Sequence, residues 1–166
     1  CVWCYSWTML KTYRKNMAPA LERNSKLLAS KALHPDALPI INSAFFRFNA
    51  HNELINEFNL INYVNISIKN PHCNLTIKKK RYYIVYKYFK NNSKPKNFIL
   101  VYSNPKINHI FSKPPKFFDK TFNNVHEDLH QEKQNCTGQK CKDCLLCYKL
   151  DTTDTIVEKV KSYGKK

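Results

Sequence analysis

Glycine is nearly absent from this chain, with 2 among 166 residues. A glycine-rich phosphate-binding loop of the dinucleotide or nucleotide-triphosphate type therefore cannot be built from it. The sequence also lacks an apolar run long enough to span a bilayer, and no basic-then-apolar leader ending in small residues is visible. We therefore expect a cytoplasmic protein that does not enter a membrane.

Hydrophobic residues make up 43% of the chain and aromatic residues 13%, which is enough to build a packed core. The charge is strongly one-sided, with 28 Lys and Arg against 12 Asp and Glu, and a formal net charge of +16. Lysine exceeds arginine, and Asn, Ile, Tyr and Phe are abundant, a profile typical of an AT-rich genome. The charge therefore indicates either codon bias or an anionic partner such as nucleic acid.

The seven cysteines are clustered rather than spread along the chain. Four of them form a C-x4-C-x2-C-x2-C pattern, Cys136, Cys141, Cys144 and Cys147. A C-x2-C turn brings two thiolates to one side of a tight loop, within reach of one metal. The pattern predicts a metal or cluster site, and its spacing fits structural Zn2+ and an iron–sulfur cluster equally well. A second pair, Cys1 and Cys4, forms a C-x2-C at the start, whereas the isolated Cys73 is interpreted as a buried core residue.

Hydrophobic periodicity predicts an α/β fold with a parallel sheet, and the late cysteines predict a knuckle after it. Strands are predicted at 40–48, 74–78 and 98–103, and helices at 6–16, 18–31, 53–69 and 80–90, the last with strand composition as the alternative. The order βαβαβ implies parallel pairing. We therefore expect an α/β core over residues 1–110 and an irregular extension over 111–166, which holds the knuckle and a short helix near 153–163.

Polar side chains follow each predicted strand. They lie in Arg47 to Glu53, Lys78 to Arg81 and Ser103-Asn104. Parallel α/β proteins bind ligands at the carboxyl ends of their strands, so these segments are candidate ligand contacts.

The start of the chain, Cys1-Val2-Trp3-Cys4-Tyr5, resembles the end of the C-x3-C-x-aromatic-C loop of radical S-adenosylmethionine enzymes. The order of motifs and elements resembles the phage gene product 88 family over nearly the whole length of the chain. Besides the N-terminal motif, the best matches are Arg47-x-Asn49-x-His51-x-Glu53-Leu54 and the late C-x2-C-x2-C. The resemblance implies a phage origin, and hence the host cell cytoplasm. It also implies a [4Fe–4S] cluster with S-adenosylmethionine, but it assigns no reaction and no catalytic residue.

The resemblance further implies that the α/β fold is a partial (β/α) barrel-like parallel sheet, and it implies a role for individual side chains. Cys1 and Cys4, with a cysteine upstream of Cys1, would ligate the cluster. Trp3 would face the adenine of S-adenosylmethionine, and Tyr5 would support the loop. The mouth of the barrel would be lined by Arg47, Asn49 and Glu53, with Lys78 and Ser103 nearby. Cys136, Cys141, Cys144 and Cys147 would hold an auxiliary cluster or Zn2+. The chain departs from some relatives at Asn52, where they have glycine.

A second hypothesis requires no catalysis. The late cysteines would hold a structural Zn2+, and the basic surface would contact nucleic acid or a host protein.

Overall fold

The computed structural model of the chain describes residues 5–49, 51, 53–126, 128–151 and 153–160. Within these ranges the helices are α1 (Tyr5–Lys11), α2 (Ala18–Ser30), α3 (Glu57–Lys69), α4 (Tyr82–Phe89) and α5 (Cys141–Cys144). The strands are β1 (Phe45–Phe48), β2 (Asn74–Lys79), β3 (Phe98–Ser103), β4 (Lys120–Val125) and β5 (Thr155–Lys159). None of the described helices combines the length and the apolar character that crossing a bilayer requires.

The five strands form one sheet in the order β1-β2-β3-β4-β5, and every neighbouring pair is parallel. The βαβαβ order predicted for the middle of the chain is confirmed. Because the spatial order follows the chain order, each connection moves one strand in the same direction. This sequential winding is the arrangement found in (β/α) barrels, whereas doubly wound sheets reverse direction at a switch point.

One face of the sheet, called here the helix face, is covered by α3 and α4. Buried side chains of these helices, such as Leu60 and Val85, join one apolar cluster with Leu75, Ile77 and Leu100 of the strands. Each fully buried aliphatic side chain of this kind contributes about 1.5–3 kcal/mol. The helix face therefore supplies most of the core.

Asparagine side chains fix the two ends of α3. Asn56 precedes the helix, and its side-chain oxygen accepts a hydrogen bond from the Asn59 amide at 3.1 Å. At the other end, the Asn70 side chain donates to the Ile66 carbonyl at 2.8 Å and accepts from the Ile41 amide at 2.7 Å. The sequence predicts that this helix starts at residue 53, and Asn52, as a polar turn residue just before it, is the cap that this start would use. The helix in fact begins at Glu57, and Asn52 lies outside the described residues.

Three sequence predictions about secondary structure were wrong. The predicted strand at 40–48 is limited to β1, Phe45–Phe48. The short helix predicted near 153–163 is strand β5, whose Thr155, Ile156 and Val157 are β-branched residues that favour strands. The extension predicted to be irregular over 111–166 contributes β4 as well as β5 to the sheet.

Strand β4 escaped the sequence pattern because it is polar, Lys-Thr-Phe-Asn-Asn-Val. Its buried polar groups have partners in the fold. The Lys120 ammonium contacts a carboxylate oxygen of Asp151 at 2.6 Å and donates to the Thr153 carbonyl at 2.8 Å. The Asn123 side chain bonds the backbone of Phe111 in both directions, at 2.9 and 3.1 Å. These tertiary partners permit a strand that hydrophobicity alone does not indicate.

Candidate functional site

The second face of the sheet carries the late cysteines and is called here the cysteine face. Strand register places Arg47 beside Thr76 and Lys78 beside Val101 on this face. Since neighbours in register point to the same side of a sheet, the side chains form continuous rows across the strands. Farther along, the face includes Ile99, Phe122 and Ile156.

Residues 135–148, called here the cysteine segment, begin along the outer edge of β5. The Cys136 amide donates to the Val157 carbonyl at 3.0 Å, and a parallel bridge joins Cys136 to Glu158. The Asn135 side chain accepts from the Val157 amide at 2.9 Å and donates to the Thr155 carbonyl at 2.9 Å. The first cysteine of the quartet is therefore held by the sheet itself.

A tight turn connects Cys136 to the other three cysteines. Gly138 has φ of 101°, a conformation that residues with a side chain rarely adopt. Gln139 links the two sides of the turn, since its side chain accepts from the Thr137 amide at 2.7 Å and donates to the Asn135 carbonyl at 2.8 Å. The same amide nitrogen lies 3.4 Å from the Cys144 sulfur. The single helical turn α5 follows this turn.

The cysteine segment then crosses the cysteine face. Cys136, Leu146 and Cys147 pack against the apolar patch formed by Ile99, Val101, Phe122 and Ile156. At its end, the ring of Tyr148 meets the ring of Phe45 of β1 edge-on, with 5.8 Å between centroids. The cysteine segment therefore runs across one face of the sheet, from edge strand β5 to edge strand β1.

Three of the four late cysteines lie close enough together that two of them affect the pKa of the third. Burial raises the pKa of Cys136 to about 11, with the Glu158 carboxylate and the Cys147 and Cys144 thiols adding to the rise, while Lys78 opposes it. Cys141 is exposed. In the described part of the chain, however, no three His, Cys, Asp or Glu side chains converge closely enough to hold a metal ion. Cys136 and Cys147 thus pack on the cysteine face, but the four sulfurs do not form a coordination sphere.

Two cations lie beneath the cysteine segment. The Lys78 ammonium is 3.4 Å from the centroid of the Phe122 ring, and burial lowers the pKa of Lys78. The Cys147 thiolate would raise that pKa, and the Arg47 guanidinium lowers it further. The side chains of Arg47 and Lys78 are both partly buried.

The candidate ligand contacts at the carboxyl edge divide between the two faces. Arg47, Lys78 and Ser103 belong to the cysteine face by register. Asn49, with φ of 45°, accepts a hydrogen bond from the buried Tyr63 hydroxyl at 2.6 Å, on the helix side. Glu53 also lies on that side, where its carboxylate accepts from the Lys80 amide at 3.1 Å and lies 3.9 Å from the Lys79 ammonium.

Strand β2 carries two buried polar side chains, of which sequence reasoning missed Thr76 and did not foresee the burial of Lys79. Thr76 has no exposed surface, and its hydroxyl has no hydrogen-bond partner among the described residues. Lys79 is also fully buried, and burial lowers its pKa from 10.5 to about 8. The only available signal was the alternation of strand residues, which requires that Lys78 and Lys79 point to opposite faces.

The N-terminal half of the predicted site lies outside the described residues, since these omit Cys1, Trp3 and Cys4. Helix α1 begins at Tyr5. The roles that the resemblance assigns to Cys1, Trp3, Cys4 and Tyr5 therefore stay predictions. Comparison with protein-family models, with curated proteins and with solved structures found no match for this chain.

Proposed function

We propose that this protein binds an iron–sulfur cluster through Cys136, Cys141, Cys144 and Cys147, and that it is a radical-SAM-like protein related to the phage gene product 88 family. The observation that carries the proposal is the position of the cysteine segment on the sheet. It brings thiols of the quartet to the cysteine face, beside Arg47 and Lys78.

The chemistry of the quartet suits a cluster or a metal ion. Thiolates are the ligands of iron–sulfur clusters and of structural Zn2+. Four thiolates around either group carry net negative charge, and the two cations of the cysteine face oppose that charge. Binding would have to draw the sulfurs together, which is common because metal affinity is coupled to local folding. Gly138 supplies the positive φ that the turn between Cys136 and Cys141 requires.

The winding of the sheet supports the radical-SAM-like part of the proposal. Five parallel strands in sequential order are compatible with part of a (β/α) barrel. Cys1 and Cys4, together with an upstream cysteine, would hold a second cluster near the carboxyl edge. A reduced cluster supplies the electron that cleaves bound S-adenosylmethionine, and this chain would position the cofactor and the substrate.

Anaerobic purification and analysis of the bound metal test this proposal. We expect a coloured protein with a broad absorbance band at about 400 nm, and with stoichiometric iron and acid-labile sulfide. Cys147→Ser should remove most of the iron bound at the quartet. Cys73→Ala is the matched control, because Cys73 is buried in the helix-face core, and this variant should retain the iron.

The outcomes separate the hypotheses. Colourless protein with one Zn2+ that Cys147→Ser abolishes would replace the cluster by a structural zinc site, as the second hypothesis predicts. Metal-free protein, or metal content that is equal in wild type and Cys147→Ser, would refute metal binding by the quartet. Loss of further iron in Cys4→Ser would show that the N-terminal cysteines hold a cluster of their own.

A further inference from the structure

We propose that Arg47, Thr76 and Lys78 form a binding site for a small oxyanion, the carboxylate or phosphate group of a ligand that enters at the carboxyl edge of the cysteine face. The proposal goes beyond metal binding, because it concerns a different ligand class and needs no occupied cysteine site.

The three side chains are neighbours by strand register. Arg47 of β1 pairs in register with Thr76 of β2, and Lys78 follows Thr76 on the same face. Adjacent strands are about 4.8 Å apart, and alternate residues of one strand are about 6.6 Å apart. Arg47 and Thr76 therefore lie side by side on adjacent strands, and Lys78 lies on the same face with its ammonium over the Phe122 ring.

Two of the three donors are buried without a partner. The Thr76 hydroxyl and the Arg47 Nε both lack a hydrogen bond within the described part of the protein. Buried polar groups in folded proteins nearly always have a partner, so an unpaired one calls for an explanation. Here two unpaired donors belong to neighbouring residues on one face of the sheet, which points to a shared acceptor supplied by a ligand.

The charge of the site also favours an anion. Among the described residues, neither Arg47 nor Lys78 forms an ion pair with a carboxylate within 4.0 Å. Glu158 acts on Lys78 from beyond that distance. Guanidinium and ammonium groups only donate hydrogen bonds, and a threonine hydroxyl can donate one as well. A ligand that only accepts, such as a carboxylate or a phosphate, satisfies all three groups, and the guanidinium fork matches its geometry.

The thiols of the cysteine segment are weaker candidates for that acceptor. Cys147 and Cys136 lie near Lys78, but sulfur accepts hydrogen bonds poorly compared with a charged oxygen. Neither sulfur is a partner of the Thr76 hydroxyl or of Arg47 Nε in the structure.

Titration with inorganic phosphate and with acetate, followed by calorimetry and by amide chemical shifts, tests the site. Chloride at equal ionic strength controls for charge screening. We expect saturable binding by wild type and about tenfold weaker binding by Lys78→Met and Arg47→Met, because each loses a charge-assisted contact. Thr76→Val keeps the shape of the side chain and should weaken binding while preserving the circular dichroism spectrum. Lys80→Met is the matched control, since Lys80 is exposed, and should bind like wild type.

Saturation by phosphate alone would indicate a phosphate ester as the ligand, and saturation by acetate alone a carboxylate. Absence of saturation beyond the chloride effect would overturn the proposal. Equal weakening by Lys80→Met and Lys78→Met would also overturn it, because the effect would then be one of general surface charge. The metal content of Thr76→Val, measured in parallel, distinguishes this site from the cysteine site. Metal retained with phosphate binding weakened supports an independent oxyanion site, whereas a metal-free protein that still binds phosphate refutes only the cluster.

Discussion

Lys79 should make the stability of this protein rise between pH 7 and pH 10. Its ammonium has no exposed surface, and burial lowers its pKa from 10.5 to about 8. Glu53, 3.9 Å away, raises that pKa, and the positive charge of Arg47 lowers it, but burial is the largest cause. The folded protein therefore releases this proton at a lower pH than the unfolded chain does.

The sign and the magnitude follow from proton linkage. Between pH 8 and 10.5 the unfolded state binds more protons than the folded state, so the free energy of unfolding increases with pH. The full pKa difference corresponds to about 3 kcal/mol of destabilisation below pH 8. We expect about 2.5 kcal/mol of it to be relieved between pH 7 and 10.

Urea unfolding of wild type and Lys79→Met across this pH range measures the effect. The methionine variant lacks the titrating group at nearly constant volume, and Glu53 keeps its hydrogen bonds from the Leu54 and Lys80 amides. The difference in unfolding free energy, wild type minus variant, should rise by about 2.5 kcal/mol from pH 7 to pH 10, whatever its absolute value. Using the difference also cancels the opposing alkaline titration of Tyr63, whose pKa burial raises.

Lys80→Gln is the matched control, because Lys80 is next to Lys79 in sequence but its ammonium is exposed. The difference in unfolding free energy between wild type and this variant should not change with pH. A flat difference for Lys79→Met over the same range would refute the reasoning, since it would show that Lys79 titrates alike in the folded and unfolded states.

Three further predictions concern stability. Asn97→Ala removes a side-chain amide that donates to three backbone carbonyls, one in the last turn of α3 and two in the segment that follows it, at 2.9–3.0 Å, and should lower the free energy of unfolding in urea by about 1–3 kcal/mol. Asp151→Asn should lower the free energy of unfolding by about 1–3 kcal/mol, because it removes the carboxylate beside the Lys120 ammonium, and Lys120 is 1% exposed. A double-mutant cycle with Lys120→Met should show coupling between the two residues, and additive losses of stability would contradict a direct pair. Gly138→Ala places a side chain at φ of 101° and should cost about 1 kcal/mol by strain alone, since no atom lies within 4 Å of the added carbon; an unchanged thermal midpoint would contradict this.

Local patterns in the sequence were sufficient for the middle of the fold. Apolar runs bounded by Asn-Pro and turn residues predicted β2, α4 and β3 to within a few residues. They failed at β4, where polar residues are buried with partners from other segments, as Asn123 is with Phe111, and at β5, where a run with three β-branched residues was assigned to a helix. A pattern of hydrophobicity cannot indicate such a strand, because its stability depends on contacts that form only after folding.

The sequence by itself determined the chemistry that is available: clustered thiols, a basic chain, too little glycine for a phosphate loop, and alternating strands and helices. Only the tertiary structure decided which side chains meet. Lys78 and Lys79 are adjacent, yet one lies on the cysteine face with Arg47 and the other is buried near Glu53 on the helix face. A shift of one residue in the register of β2 would exchange their environments, and register is set by packing across the whole sheet rather than by the two residues themselves.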